Sequence, residues 1–176
     1  GIDIDDTAGR PLSILPPGTL LTEIVEAAAQ DFGPLPLLTL LKHPLVRAGE
    51  ARLPWLDGVR ALDRGLRGPR PGPGLAGIDA HLAERPEREA QVRAAAEAWW
   101  AEARALLAPI AEAFAGDRFL TDFAAALRDA AQTLAGDEAW RGPAGRATAD
   151  LLAGIETEAS HGPGALDGAG FAPLLR

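Results

Sequence analysis

Residues 16–46 read PPGTLLTEIVEAAAQDFGPLPLLTLLKHPLV, and this stretch decides the fold class of the chain. Its first half carries apolar residues at helical spacing, namely Leu20, Leu21, Ile24, Val25 and Ala28. Phe32-Gly33-Pro34 ends that helix, and Pro36 fits the first turn of a second one, where a missing N–H costs nothing. The second helix buries its leucines and stops at His43-Pro44. The stretch therefore predicts a helical hairpin.

The composition extends this prediction to the whole chain. The 176 residues suffice for one domain with a real core. Alanine supplies much of the 47% hydrophobic content, and aromatic residues make up only 5%, which favours closely packed helices over a sheet. We expect an all-α fold, an irregular multi-helix bundle. Residues 1–4 alternate weakly and fit one short N-terminal strand.

Further helices are expected after the hairpin. The pattern predicts helices over residues 55–66, 78–82, 87–107, 120–134 and 144–158, and another that begins at residue 171. Pro109 should kink the third of these or end it, with helix resuming to residue 114. The predicted core faces of two helices are Val92, Ala95, Ala96, Trp99, Ala103, Leu106 and Leu107 in one, and Ala147, Leu151, Leu152 and Ile155 in the other.

Two adjacent tryptophans, Trp99 and Trp100, stand out in the longest of these helices. Neighbours on a helix point about 100° apart, so we expect one indole in the core and the other partly exposed or at a contact. Two interpretations remain for the exposed ring: packing against the core, or stacking on a nucleic-acid base.

Charge is segregated along the chain. The formal net charge is −8, which argues against a nucleic-acid binder held by overall charge. Residues 41–70 nevertheless carry seven basic against three acidic side chains. The candidate nucleic-acid contacts are Lys42, Arg47, Arg60, Arg64, Arg67 and Arg70. These side chains form either a solvated face or a surface that contacts phosphates. Residues 67–74, rich in proline and glycine, form a loop in either case.

The sequence offers no catalytic grouping. Cysteine is absent, so thiolate catalysis and cysteine-ligated metal sites are excluded within these residues, and no Gly-Lys-Ser/Thr loop exists for a nucleotide. Asp3-x-Asp5-x-Thr7 has the spacing of haloacid-dehalogenase-like phosphatases, but only two residues precede it, so a solvated turn is the better interpretation. His43, His81 and His161 lie far apart and are expected to be structural or surface groups. We expect no enzyme activity, cofactor or metal in this segment.

No apolar run approaches the roughly 20 residues of a membrane helix, and the N-terminus lacks the pattern of a signal peptide. We therefore expect a cytoplasmic protein with no membrane partner. The chain contains no methionine and begins at Gly1, which indicates a segment excised from a longer protein.

Five short blocks carry a family resemblance. They are DDTAGRPL at residues 5–12, PPGT at 16–19, LLTLLKHPL at 37–45, LRGPRP at 66–71 and AWRGPAG at 139–145. In their order and spacing these blocks resemble the AddB subunit of bacterial AddAB helicase-nucleases, in its alphaproteobacterial form. Members of that family are far longer and carry a C-terminal nuclease with cysteines for an iron–sulfur cluster, and none of those residues occurs here.

The resemblance implies an internal segment of the helicase-like region. Residues 1–15 would join a helicase-like core, and residues 16–176 would form a helical insertion of the 2B type found in superfamily 1 helicases. The family repairs double-strand breaks by unwinding and resecting DNA ends. The implied role is a non-catalytic module that positions DNA or packs against the AddA-type partner subunit. The alternative is a helical protein–protein interaction module without DNA contact.

Overall fold

Helices make up most of the structure, a computed structural model that describes residues 11–84, 86–159, 164–171 and 173. The described helices are α1 (Pro16–Ala29), α2 (Pro34–Lys42), α3 (Arg52–Gly65), α4 (Gly74–Ala83), α5 (Ala90–Ala113), α6 (Leu120–Ala135), α7 (Gly142–Glu158) and α8 (Gly168–Phe171). Short 3-10 turns occupy Leu12–Ile14, Gly49–Ala51 and Gly136–Trp140. No strand occurs among these residues, and one isolated bridge joins Arg118 to Leu166. The all-α prediction is confirmed. The strand predicted at residues 1–4 and the Asp3-x-Asp5-x-Thr7 motif lie outside the described residues.

The predicted hairpin is present as α1 and α2. Its turn places Asp31 and Phe32 in succession in the left-handed region, each with φ of 49°. The Phe32 N–H donates to the Ala27 carbonyl at 2.7 Å, which closes the end of α1. The Asp31 carbonyl in turn accepts from the N–H of Gly74 at 2.9 Å, so the hairpin turn is bonded to the start of α4. Helix α2 begins at Pro34, which places Pro36 in its first turn as predicted, and it ends before His43.

Helices α3 and α5 form an extensively packed antiparallel pair. Gly65 of α3 lies beside Ala96, whereas Gly58, two turns earlier, lies beside Trp99. A Cβ atom added at Gly65 would come within 2.7 Å of the Ala96 Cβ, so only glycine permits this approach. The two glycines share one face because seven residues make about two helical turns. Small residues therefore set the distance between the two helices.

Helix α5 runs unbroken from Ala90 to Ala113 with Pro109 inside it. Of the two alternatives predicted at Pro109, an end of the helix is therefore wrong, and helix continues to Ala113, one residue short of the predicted limit. Proline removes one backbone donor and crowds the preceding turn, but Leu107 and Ile110 on either side are buried in the core. Packing on both sides of the proline keeps the helix continuous.

Two predicted core faces require correction. On α5, Val92 is 38% exposed and Ala95 is exposed, while the buried stripe runs through Arg93, Ala96, Trp100, Ala103, Leu107 and Ile110. Trp100 is thus the core tryptophan and Trp99 the partly exposed one. Because the first residue of the buried face is an arginine, the apolar pattern predicted a face that is rotated relative to the buried one.

The second correction concerns α7. Ala147 is exposed and Leu151 is 37% exposed, and the buried residues of this helix are Gly145, Thr148 and Leu152. A Cβ at Gly145 would overlap the backbone of Trp140, so the first turn of α7 presses closely on the preceding 3-10 turn. This close approach fixes the rotation of α7 and turns Ala147 outward.

The C-terminal part of the described chain closes the core with phenylalanines. The Phe123 ring of α6 stacks on the Phe171 ring of α8 with centroids 4.8 Å apart. The centroid of the Phe114 ring lies 5.6 Å from that of Phe123.

Within the described ranges, no helix combines the length and the apolar character that crossing a membrane requires.

The close approach of α3 and α5 gives a test of the packing with a matched control. Gly65→Ala should lower the free energy of unfolding by about 1–3 kcal/mol, since the added methyl group overpacks the interface. Gly154→Ala places the same methyl group in open space on α7, and it should raise stability by about 0.5–1 kcal/mol because alanine favours the helix. Urea unfolding measures both, and equal effects would contradict the packing.

Candidate nucleic-acid interface

Two of the six candidate contacts are already paired with acidic side chains. Lys42 Nζ lies 2.8 Å from Asp63 Oδ2, and Arg60 Nη1 lies 2.6 Å from Asp57 Oδ1. Both pairs are largely exposed, so each contributes little to stability. The paired aspartates nevertheless compensate the two positive charges locally, and a phosphate would have to compete with them.

Three other candidates remain uncompensated. Arg64 lies in the last turn of α3, and Arg67 and Arg70 lie in the loop that leads to α4. All three side chains are exposed, and none forms an ion pair with a described residue. The loop turns at Gly68, whose φ is 105°. Arg64, Arg67 and Arg70 therefore lie within seven residues of one another, in the last turn of α3 and the loop that follows it.

Arg47 lies apart from these three. Its guanidinium sits over the Trp55 ring, 5.7 Å from the centroid, near the start of α3. Trp55 and Arg64 are nine residues apart on this helix, which corresponds to about 14 Å along its axis. The six candidates thus separate into two compensated charges, a group of three at one end of α3, and Arg47 near the other end.

Arg93, which was not among the six candidates, has a structural role that the sequence analysis missed. Its side chain is 2% exposed. The Nη1 group donates to the His81 carbonyl at 2.6 Å, and Nη2 pairs with Glu89 Oε2 at 2.6 Å. Arg93 therefore joins the last turn of α4 to the first turn of α5. The sequence feature that could have indicated this role is the position of Arg93 three residues before Ala96, which continues the buried face of α5.

Two of the three histidines are buried and hydrogen-bonded, as expected. His81 Nε2 bonds the Gly65 carbonyl at 3.1 Å. His43 Nδ1 accepts from the Leu45 N–H at 3.2 Å, so its Nε2 carries the hydrogen and donates to Thr19 Oγ1 at 3.0 Å. His161 lies outside the described residues. No group of three potential metal ligands occurs in the part of the chain that the structure describes.

The neutral form of His43 is favoured strongly. Burial, with a further contribution from the nearby Arg52 charge, lowers its pKa from 6.5 to about 4. Protonation would place a hydrogen on Nδ1, where the Leu45 N–H already donates. Protonation would therefore break the hydrogen bond from Leu45 at the end of α2, while the bond from Nε2 to Thr19 in the first turn of α1 would remain.

A small acidic pocket lies between α1 and α2. Its volume is about 200 Å³, and it is lined by Glu23, Glu26, Gln30, Leu35, Pro36 and Thr39. Oxygen Oε2 of Glu23 is buried there and has no hydrogen-bond partner among the described residues. Burial, and secondarily the Glu26 charge, raises the pKa of Glu23 to about 7. Leu35 at the rim is 77% exposed.

Comparison of the chain with protein-family models, with curated proteins and with solved structures finds no match.

Protonation of His43 should destabilise the fold in acid. Its pKa is lower in the folded state than in the unfolded state, so the unfolded chain binds more protons between pH 6.5 and about 4. The stability contributed by neutral His43 is present above pH 6.5 and is lost as the pH falls towards 4. In urea unfolding across this range, the free energy of His43→Gln should vary less steeply than that of the original chain. Parallel curves would contradict this assignment.

The stability that Glu23 contributes should depend on pH in the opposite sense to that of His43. Its pKa is raised on folding, so its contribution to stability is present below pH 4.5 and is lost as the pH rises through 7. Glu23→Gln should therefore be more stable than the original chain at pH 8, where the buried carboxylate is charged. Thermal unfolding at pH 5 and pH 8 measures the difference, with the exposed Glu50→Gln as the matched control. An equal shift at both pH values would refute the assignment.

Proposed function

We propose that this chain is a non-catalytic helical module of an AddB-type helicase-nuclease subunit, and that it holds DNA by its phosphates while DNA ends are unwound and resected in double-strand-break repair. The proposal rests on the five sequence blocks that resemble that family. One structural observation carries the DNA contact: Arg64, Arg67 and Arg70 are exposed together, and no described acidic residue pairs with them.

The chemistry of these side chains suits phosphate. The guanidinium group stays charged at neutral pH and donates hydrogen bonds in a planar fork that matches phosphate oxygens. Three such groups within seven residues supply several contacts to one stretch of backbone. Contacts of this kind position a nucleic acid and carry no sequence information.

A nearby carboxylate does not cancel this charge. Glu89 lies beside the loop, with Oε1 3.7 Å from where a Gly68 Cβ would stand. Its other oxygen, Oε2, is held by the buried Arg93 at 2.6 Å. Arg93 thus compensates Glu89, and the loop arginines form no ion pair with a described residue.

The overall charge supports a contact at one face only. The chain carries −8 in total, while residues 41–70 are net positive. The remaining surface repels DNA, so an approaching duplex or strand is oriented towards the end of α3. Such a module orients the DNA more than it increases the affinity of DNA binding.

The number of phosphates that the chain neutralises can be read from the salt dependence of binding. In the triple variant Arg64→Gln, Arg67→Gln, Arg70→Gln, the slope of log affinity against log salt should fall by about one for each arginine that binds a phosphate in the original chain. The measurement is fluorescence anisotropy of the intact chain with a duplex that carries a single-stranded tail, between low and moderate salt.

The double variant Lys42→Gln, Arg60→Gln is the matched control, because both residues already pair with aspartates. For each charge removed, it should change the slope by less than the triple variant does. An unchanged slope in the triple variant, or no binding of the original chain at low salt, would reject the phosphate contact.

A second candidate is a protein-interaction module without DNA contact. It is favoured by the α1–α2 pocket, where the exposed Leu35 adjoins the buried, unpartnered oxygen of Glu23. The rest of the hairpin's apolar surface faces the core, which confines such a contact to this rim. A rejected phosphate contact in the experiment above would leave this candidate as the better one.

A further inference from the structure

A second pocket opens between the start of α3 and the middle of α5. Its volume is about 370 Å³. The residues that line it are Arg47, Ala51, Pro54, Trp55, Trp99 and Glu102. The volume lies near the lower end of the range for small-ligand sites, so the pocket suits a single flat ring system. Arg47 is the one candidate contact of the sequence analysis that lies here.

Two indoles form the apolar part of this pocket. Trp55 is 3% exposed, and its Nε1 donates to the Leu41 carbonyl at 2.9 Å. Trp99 meets it edge to face, with centroids 4.9 Å apart, and is partly exposed. Trp99 Nε1 donates to no acceptor among the described residues, whereas the other three tryptophans each have one. Trp99 is therefore a partly exposed ring at the pocket, and its N–H has no acceptor among the described residues.

The position of the Trp99 ring is fixed before any ligand arrives. A Cβ at Gly58 would overlap the indole around Nε1, so the ring lies directly against the α3 backbone. A ring held in this way loses little rotational freedom on binding, which favours affinity. The glycine and the tryptophan together form a preorganised stacking platform.

Arg47 adds a fixed cation beside the platform. Its backbone is left-handed, with φ of 50°, and its N–H donates to the Leu134 carbonyl at 2.9 Å. Residues other than glycine adopt this conformation at a cost, and such strain is concentrated at functional sites. The guanidinium lies over Trp55 and forms no ion pair with a described residue, although Glu102 lines the same pocket.

We propose that this pocket binds one unpaired base of single-stranded DNA, with the base stacked on Trp99 and an adjacent phosphate on Arg47. The inference rests on the proposed function. A nucleotide uses both features of the site, the ring face and the cation, whereas a proline-rich peptide would use the ring face alone. Glu102 lines the same pocket and provides an acceptor for an amino group on the edge of the base.

The intact chain labelled with 5-fluorotryptophan allows a direct test, because ¹⁹F NMR reports each of the four tryptophans separately. The probe is an oligodeoxycytidine of about 15 nucleotides, near the upper end of known single-strand site sizes, and its control is an abasic strand with the same number of phosphates. The Trp99 signal should shift with the oligodeoxycytidine and much less with the abasic strand, while the Trp140 signal stays in place.

Variants then distinguish the contribution of the Trp99 ring to binding from that of the Arg47 charge. Trp99→Leu should weaken binding of the oligodeoxycytidine at least about fivefold, the reduction expected for one base–aromatic stack, and Trp99→Phe should restore most of it. Arg47→Asn removes the guanidinium while keeping a residue that tolerates the left-handed backbone. It should lower the salt slope for single strands by somewhat less than one.

The outcomes distinguish this inference from the proposed function. A Trp99 signal unmoved by the oligodeoxycytidine would overturn the inference, even if the arginine variants at residues 64, 67 and 70 reduce the salt slope. Equal shifts with the abasic strand would overturn it as well, as would a proline-rich peptide that moves Trp99 when DNA does not. A Trp99 shift that persists in the triple arginine variant would support the pocket and place DNA binding there instead.

Discussion

The fold depends on the close approach of α3 and α5. Gly58 and Gly65 bring the backbone of α3 against the side chains of Trp99 and Ala96. This one contact orients several features at once: it places Trp100 in the core, it holds Trp99 at the rim of a pocket, and it leaves the opposite face of α3 to its charged residues. Larger residues at the two glycines would separate the helices and disturb all three.

Arginine serves two different purposes in this chain. Arg93 and Arg52 point inward and donate to backbone carbonyls near the ends of helices, where unpaired acceptors are available. Arg64, Arg67 and Arg70 point outward. The inward group gives the scaffold its internal hydrogen bonds, and the outward group carries the proposed contact with phosphate. A count of basic residues alone cannot separate the two, because the difference lies in which carbonyl or carboxylate each side chain reaches.

Much of the helical architecture follows from sequence periodicity, and the predictions that were wrong have identifiable causes. The hairpin, α3 and α6 were predictable because their apolar residues recur regularly and proline or glycine marks their ends. The register of α5 was obscured by a buried arginine, and that of α7 by Gly145, whose role depends on contact with Trp140. At the candidate site, the sequence identified the basic segment. It did not show which basic side chains are paired, because that depends on contacts with Asp57 and Asp63 in the folded chain. The Trp99 pocket depends on Gly58, a residue with no sequence signal of its own.

One hydrogen bond couples parts of the chain that are distant in sequence. The N–H of Gly74, where the basic loop enters α4, donates to Asp31 in the hairpin turn. The loop that carries Arg67 and Arg70 is therefore anchored at its far end by a turn more than forty residues earlier. Local unfolding of that turn would release the loop while the central helices remain intact. In the proposed contact with phosphate, the hairpin would thus set how much conformational entropy the loop loses on binding, and a change far from the arginines would alter the affinity without altering any contact to the ligand.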